Sequence, residues 1–218
     1  MGLMAAVWQW REKKAEELWQ AARGHLAAGR LLALPTETFY ALAAHPFEEE
    51  ALARLFTLKG RTPDKPVLLL VSDLDMVRSV ATDIPPRAYD LMAQFWPGPL
   101  TLILPARPGL SLKLTGGTEG VGLRAPRQEV TCRLIHALGF PVTGTSANRA
   151  GKAPFTRAEE VEREFGNDLA LVLDAGPCPG GLPSTIVDVR VSPFRLLRAG
   201  AVALPEIRKI IPELVLER

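Results

Sequence analysis

Long apolar runs are missing from this 218-residue chain. Charge or proline breaks each one well short of the roughly 20 residues that a membrane span needs. In the opening MGLMAAVWQW the positive charges come after the apolar run, the wrong order for a secretory signal, and Ala6 stands where N-myristoylation wants Ser or Thr. The expectation is a cytoplasmic protein with no membrane partner. Cysteine is scarce: Cys132 and Cys178 lie in unrelated contexts with no histidine at ligand spacing, so neither a disulfide framework nor a zinc site is supported. Only fourteen residues are Phe, Trp or Tyr, mostly in helix-like segments or the FWPGP turn, which provides poorly for stacking on nucleic-acid bases. The familiar catalytic signatures are missing too. No GxxxxGK(S/T), strand-linked GxGxxG, HExxH or GxSxG occurs, which removes the common phosphate-loop, dinucleotide, zinc-protease and hydrolase readings. Of the three histidines, His25 and His136 fall in amphipathic helices and His45 has no partner in the sequence.

What is present is a chain able to bury a substantial core, with 47% hydrophobic residues and a formal net charge of only +2. Helical spacing marks residues 11–28, with Leu18, Ala22 and His25 or Leu26 on one face, and Glu48 to Leu58, closed by Gly60. Further helices are expected from a Ser72 cap to Val80, from Pro85 and Pro86 to Phe95, from Gln128 to Leu138 before Gly139, and from a Thr156–Glu159 capping box to Phe165. Strands are expected at 31–34, 67–71, 100–104, 121–125, 140–144, 169–173, 184–189 and 194–197. This interleaving predicts an α/β fold. The adjacent strand pairs near the C-terminus argue for a mixed sheet.

Polarity concentrates where strands end. PTETFYALAAHP follows the apolar Leu31–Leu34 run, at a place where a scaffold commonly displays binding groups. RLFTLKGRTPDKP gathers Arg54, Lys59, Arg61 and Lys65 around one helix end, a candidate anion site. VTGTSANRAGK offers Thr145, Ser146 and Asn148, with Gly144 and Gly151 expected to let a ligand approach the backbone. Ser184 and Thr185 precede a strand, while Arg124 and Arg198 end strands, where a guanidinium suits a carboxylate or phosphate. Lys, Arg, Ser, Thr and Asn together suggest electrostatic catalysis on anions.

Seven of these segments, PTETFYALA, KGRTPDKP, WPGPLTLIL, GLRAP, TSANRAGK, PSTIVDV and RLLRAG, resemble the YrdC-like (TsaC) threonylcarbamoyl-AMP synthases in order and approximate spacing. The resemblance runs from about Arg30 to Gly200. It implies a twisted mixed sheet with flanking helices around a basic cavity, within a YrdC-like domain over residues 24–218 preceded by an N-terminal helical extension over 1–23. The implied reaction joins L-threonine, bicarbonate and ATP, with Mg²⁺, into threonylcarbamoyl-adenylate and pyrophosphate. The product then serves tRNA modification through downstream threonylcarbamoyl-transfer proteins. Thr36, Arg124 and Ser184 match positions that hold threonine, and Tyr40 is expected to pack over that pocket. Lys59 and Arg61 match a KxR pair near the triphosphate, expected to be catalytic, and Ser146, Asn148 and Arg198 match nucleotide contacts. No metal ligand is expected from the protein itself.

The sequence departs from the family pattern in several places. Ala41 replaces a glycine, Ala150 replaces a serine, and Leu70 stands where some members carry histidine. The chain is expected to lack the extra C-terminal domain of longer members. Two alternatives stay open at this point: a paralogue of the same fold without this activity, and a non-catalytic RNA-binding protein. If the cavity serves ATP and threonine, RNA affinity is expected to be weak and salt-sensitive.

Overall fold

In the computed structural model, which describes residues 5–62 and 64–217, the chain starts with a strand the sequence pattern did not suggest. Strand β1 (Ala6–Gln9) precedes a short 3-10 turn and helix α1 (Ala15–Ala27). The extension expected to be helical over 1–23 is therefore part strand, and its expected end falls inside α1; residues 1–4 lie outside the described residues. Leu18, Ala22 and Leu26 are the buried stripe of α1, which leaves His25 off that face.

The chain continues as β2 (Leu31–Leu34), β3 (Ala41–Ala43), α2 (Glu49–Lys59), β4 (Leu69–Leu70), α3 (Leu74–Val80), α4 (Pro86–Phe95), β5 (Leu100–Pro105), α5 (Leu112–Thr115) and β6 (Gly120–Arg124). It ends with α6 (Glu129–Leu138), β7 (Val142–Thr143), β8 (Thr145–Ser146), α7 (Ala158–Phe165), β9 (Leu169–Asp174), β10 (Thr185–Asp188), β11 (Arg195–Arg198), α8 (Leu204–Ile210) and β12 (Val215–Leu216). Two caps differ from expectation. Asp73, not Ser72, caps α3 by accepting from the Met76 amide at 2.9 Å, because the Ser72 hydroxyl is spent on the Asp73 carboxylate. The capping box of α7 sits one residue later than expected: Glu160 reaches back to the amides of Thr156 and Arg157.

The strands form two mixed sheets, ordered β1-β9-β2-β3-β8 and β12-β11-β10-β5-β6-β4-β7. Strand β2 explains why a central strand can be wholly apolar. Leu32 and Leu34 face one core, shared with α1, while Leu31 and Ala33 face a second one beneath α2 and α7. Burying each such leucine stabilises the fold by about 2 kcal/mol.

The single strand expected at 140–144 is divided. β7 pairs with β4 in the larger sheet and β8 pairs with β3 in the smaller one, with Gly144 between them. A Cβ on Gly144 would lie 2.6 Å from the Leu70 side chain and 2.9 Å from that of Leu68. The space expected to admit a ligand is thus taken by the protein's own side chains, and it lets one segment pass between sheets. Around Gly151 nothing lies within 4 Å of the missing Cβ.

Candidate active site

A cavity of about 480 Å³ opens at this junction, with Gly144 in its wall. Its size suits a small-molecule ligand. Three arginines from distant parts of the chain line it: Arg61 after α2, Arg124 at the end of β6 and Arg198 at the end of β11. Hydroxyls from Thr36, Thr38, Thr101, Ser146 and Ser184 stand among them. The cavity therefore gathers Thr36, Tyr40, Arg61, Arg124, Thr145, Ser146, Ser184 and Arg198 from the residues singled out in the sequence. Lys59 and Asn148 do not border it.

The hairpin loop between β2 and β3 carries the threonine-rich side. Thr36 is 3% exposed, and its hydroxyl is already committed: it donates to the Phe39 carbonyl at 2.8 Å and accepts from the Thr38 and Phe39 amides. Thr36 thus fastens the loop instead of offering a free hydroxyl. Arg124 Nη2 donates to the Thr36 and Thr38 hydroxyls at 3.3 and 3.2 Å and lies 2.7 Å from Glu37 Oε1. Its Nε is buried without a hydrogen-bond partner among the described residues. The loop's far side is held by the Thr131 hydroxyl on the Pro35 carbonyl and by the Gly180 amide on the Thr38 carbonyl.

Tyr40 borders this cavity, but it is fully buried and most of its packing is with the second core. Alternation along β3 sends Ala41 and Ala43 to one core and Leu42 to the other, and Tyr40, just before the strand, joins the core that contains Leu42 and Cys178. Burial first, then Asp174 and Cys178, push its hydroxyl well above the usual phenol range. Burial also pushes the Cys178 thiol up to about 11, which leaves it protonated and inert at neutral pH. Ala41 needs no special backbone. Asp83 is the one non-glycine residue with positive φ among the described residues, so the glycine-to-alanine departure at 41 carries no strain. Ala150 is exposed at a turn, and Leu70 lies in the cavity wall.

The KGR turn sends two cations to different places. Gly60 takes the left-handed conformation that closes α2 and reverses the chain. Arg61 reaches the cavity wall, spending Nε on the Lys65 carbonyl at 2.8 Å and Nη2 on that of Pro66. Lys59 turns back into the protein, 7% exposed, and donates to the Ser146 and Asn148 carbonyls at 2.5 and 2.7 Å and to Asn148 Oδ1 at 2.8 Å. All three ammonium hydrogens are used, so Lys59 grips the Ser146–Asn148 segment and has no donor left for a triphosphate in this arrangement. Asn148 completes that network by accepting from the Ser146 hydroxyl at 2.7 Å and donating to the Arg149 and Lys152 carbonyls.

Burial, and secondarily Arg61, lowers the Lys59 pKa from the usual 10.5 to about 8. Two opposite pH effects follow. The charged form is disfavoured in the folded chain, so this group costs stability below about pH 8 and the cost is relieved as pH rises towards 10.5. Its grip on the loop runs the other way, since deprotonation removes one of three donors. Pyrophosphate affinity, measured by titration calorimetry, should therefore fall as pH rises through about 8, and this step should vanish in Lys59→Met.

On the opposite wall, Arg198 donates Nε and Nη2 to the Ser184 carbonyl at 3.1 and 2.8 Å and Nη2 to its hydroxyl at 3.1 Å. The Ser184 hydroxyl also shares a 2.8 Å bond with Thr101. Burial and the nearby Arg124 charge both lower the Arg198 pKa, the mark of two cations facing one space. Gly200 makes this packing possible: a Cβ there would lie 2.6 Å from Ser184 C and Thr185 N, backbone atoms that cannot swing aside. Gly200→Ala should cost about 2 kcal/mol in a denaturant melt and displace Ser184 with it.

Thr38, Thr101 and Glu37 belong to this site and had no role assigned from the sequence. Thr101 had a usable signal, a lone hydroxyl in the apolar run LTLIL. Thr38 and Glu37 sit inside a loop whose residues could not be told apart without geometry. Among the described residues no group of three His, Cys, Asp or Glu side chains could hold a metal, and no helix is long and apolar enough to cross a membrane.

The model of a family described as telomere recombination, Sua5/YciO/YrdC, matches residues 25–200. A threonylcarbamoyl-AMP synthase of Pyrococcus abyssi is 37% identical over 204 residues, covering 94% of this chain and 60% of the relative. One from Bacillus subtilis is 35% identical over 187 residues, covering 85% of this chain and 54% of the relative. The crystal structure of P. abyssi Sua5 complexed with L-threonine superposes with a TM-score of 0.92 at 35% identity. That superposition covers 98% of this chain and 63% of the solved one, so the segment before residue 24 also has a structural counterpart. The chain spans little more than half the length of these relatives.

Proposed function

Because the chain belongs to the Sua5/YciO/YrdC family, we propose that it is a threonylcarbamoyl-AMP synthase, an enzyme making threonylcarbamoyl-adenylate and pyrophosphate from L-threonine, bicarbonate and ATP. The observation that carries this reading is the joint cavity, in which a hydroxyl-lined, acid-compensated arginine adjoins two arginines without a carboxylate partner among the described residues. A neutral amino acid and a polyanion are the pair of ligands such an arrangement suits.

In this reading the threonine carboxylate accepts from Arg124, and the side-chain hydroxyl meets the Thr101–Ser184 pair. Arg61 and Arg198 face the phosphates, with the Ser146 hydroxyl beside them. The threonine nitrogen bonds to the bicarbonate carbon with loss of water and a proton, and the carbamate formed is already an anion. Its oxygen then bonds to the α-phosphorus while the bond from that phosphorus to the bridging oxygen of pyrophosphate breaks. The chain's contribution is alignment of two negatively charged groups and neutralisation of the charge that builds between them, work for arginines and aimed dipoles. Hydroxyl groups and, among the described residues, no carboxylate cluster line this cavity, so Mg²⁺ would be held by the triphosphate itself and by waters, and would offset phosphate charge. The adenylate product is a mixed anhydride, suited to handing its threonylcarbamoyl group to tRNA through a cytoplasmic transfer protein.

Incubation with ¹⁴C-bicarbonate, threonine and Mg·ATP, followed by mass analysis, tests the assignment. It requires an adenylate bearing both the label and threonine; ADP as the nucleotide product would refute it.

A further inference from the structure

Glu37 is the acidic side chain paired with a cavity-lining arginine, and the functional assignment leaves it without a role. Its Oε1 lies 2.7 Å from Arg124 Nη2, with only 13% of the glutamate and 6% of the arginine side chain exposed. The contact is off the hydrogen-bond direction, so Oε1 has no hydrogen-bonded partner among the described residues, while Oε2 accepts from the Arg127 amide at 3.0 Å. Arg61 and Arg198, by contrast, bond only to backbone carbonyls and the Ser184 hydroxyl among the described residues.

The cavity is therefore divided by charge. Without Glu37 the cavity would hold three guanidinium groups with no ion-paired carboxylate among the described residues, only Asp64 acting on Arg61 from outside its wall. It would draw phosphate to every part of itself, because a polyanion gains far more from such a field than a zwitterion of zero net charge. An inhibited complex with phosphate in the amino-acid position would follow. We propose that Glu37 is a positioning residue that makes one end of the cavity selective for a neutral, zwitterionic amino acid: it fixes the Arg124 guanidinium and cancels its charge, leaving Arg61 and Arg198 to draw the polyphosphate. This rests on the synthase reading for the identity of the amino acid, though not for the division of charge.

Glu37→Gln keeps the shape and an acceptor for the Arg127 amide and removes only the charge. The threonine KM should rise about tenfold while the ATP KM stays within about twofold, since one end of the site is changed. Inorganic phosphate should change character as well, competing with threonine in the variant at a Ki about tenfold below its value against threonine in wild type. Glu37→Asp keeps the charge and shortens the reach, so its threonine KM should rise while its response to phosphate stays that of wild type. A carboxylate that merely ties two loops together would make Gln harmless, or would make Gln and Asp alike towards phosphate, and either result overturns the proposal. Calorimetry with phosphate alone, without turnover, separates this idea from the functional reading. Tighter phosphate binding in Gln than in wild type and Asp upholds the division of charge even in a protein that never uses threonine. Equal binding in all three discards it even in an active synthase.

Discussion

Arg124→Lys is expected to raise the threonine concentration for half-maximal pyrophosphate release about a hundredfold, with the ATP KM changed less than about threefold. Lysine keeps the positive charge beside Glu37, so the nearly buried pair is not left with a lone anion. What disappears is the planar set of donors that holds the Thr36 and Thr38 hydroxyls while leaving Nε unspent. Charge-assisted hydrogen bonds contribute about 1.5–3 kcal/mol each, and 1.4 kcal/mol is tenfold in an equilibrium, so losing one or two fits that expectation. Arg124→Met should behave differently. It strands Glu37 and should lower stability by about 3–5 kcal/mol as well as abolishing threonine use, which a thermal melt separates from the lysine variant. An ATP KM that rises in step with that of threonine in Arg124→Lys would place this arginine on the nucleotide instead.

Lys59→Ala should reduce kcat/KM for ATP about a hundredfold, although the ammonium faces away from the cavity, because displacing groups by about 1 Å can cost that much. The three acceptors it releases belong to Ser146 and Asn148, and Ser146 forms part of the cavity wall. Lys59→Arg is the telling partner. A charge needed only near phosphates survives that exchange, whereas a compact ammonium caged by three oxygens at 2.5–2.8 Å does not tolerate a larger planar group. Both variants should therefore fail to a similar degree. Recovery of ATP use in Lys59→Arg would return Lys59 to the triphosphate.

The fold was legible where periodicity and punctuation agree. The apolar run 31–34, the stripe Leu18, Ala22, Leu26 and the glycines closing α2 and α6 each had one local solution. It was illegible where tertiary contact decides. β1 is largely exposed along its length and is a strand because β9 lies alongside it, with Val7 opposite Val172. β3 is the apolar part of a segment whose polar start drew attention to its loop. The strand splits at Gly144, where Leu70 and Leu68, more than seventy residues away in the chain, leave no room for a Cβ.

The site was legible in composition and less so in roles. Strand-end hydroxyls and arginines do converge, but whether a group is free or committed is a matter of geometry. Thr36 looked like a ligand group and fastens its own loop; Lys59 looked like a phosphate contact and fastens another. Tyr40 borders the cavity yet is packed mainly in the second core, a division that only the folded chain displays. Glu37 was conspicuous in its polar loop but had no role, because a carboxylate in a site meant for anions makes sense only once its arginine is seen.

The most direct test is pyrophosphate release by the purified protein with Mg·ATP and bicarbonate, with threonine, valine or no amino acid added. Release should require threonine, and valine should support it about a hundredfold less well, because its methyl would bury the polar Thr101–Ser184 pair without adding the hydrogen bond that a substrate hydroxyl supplies. Release that proceeds equally with valine or without any amino acid would contradict the account.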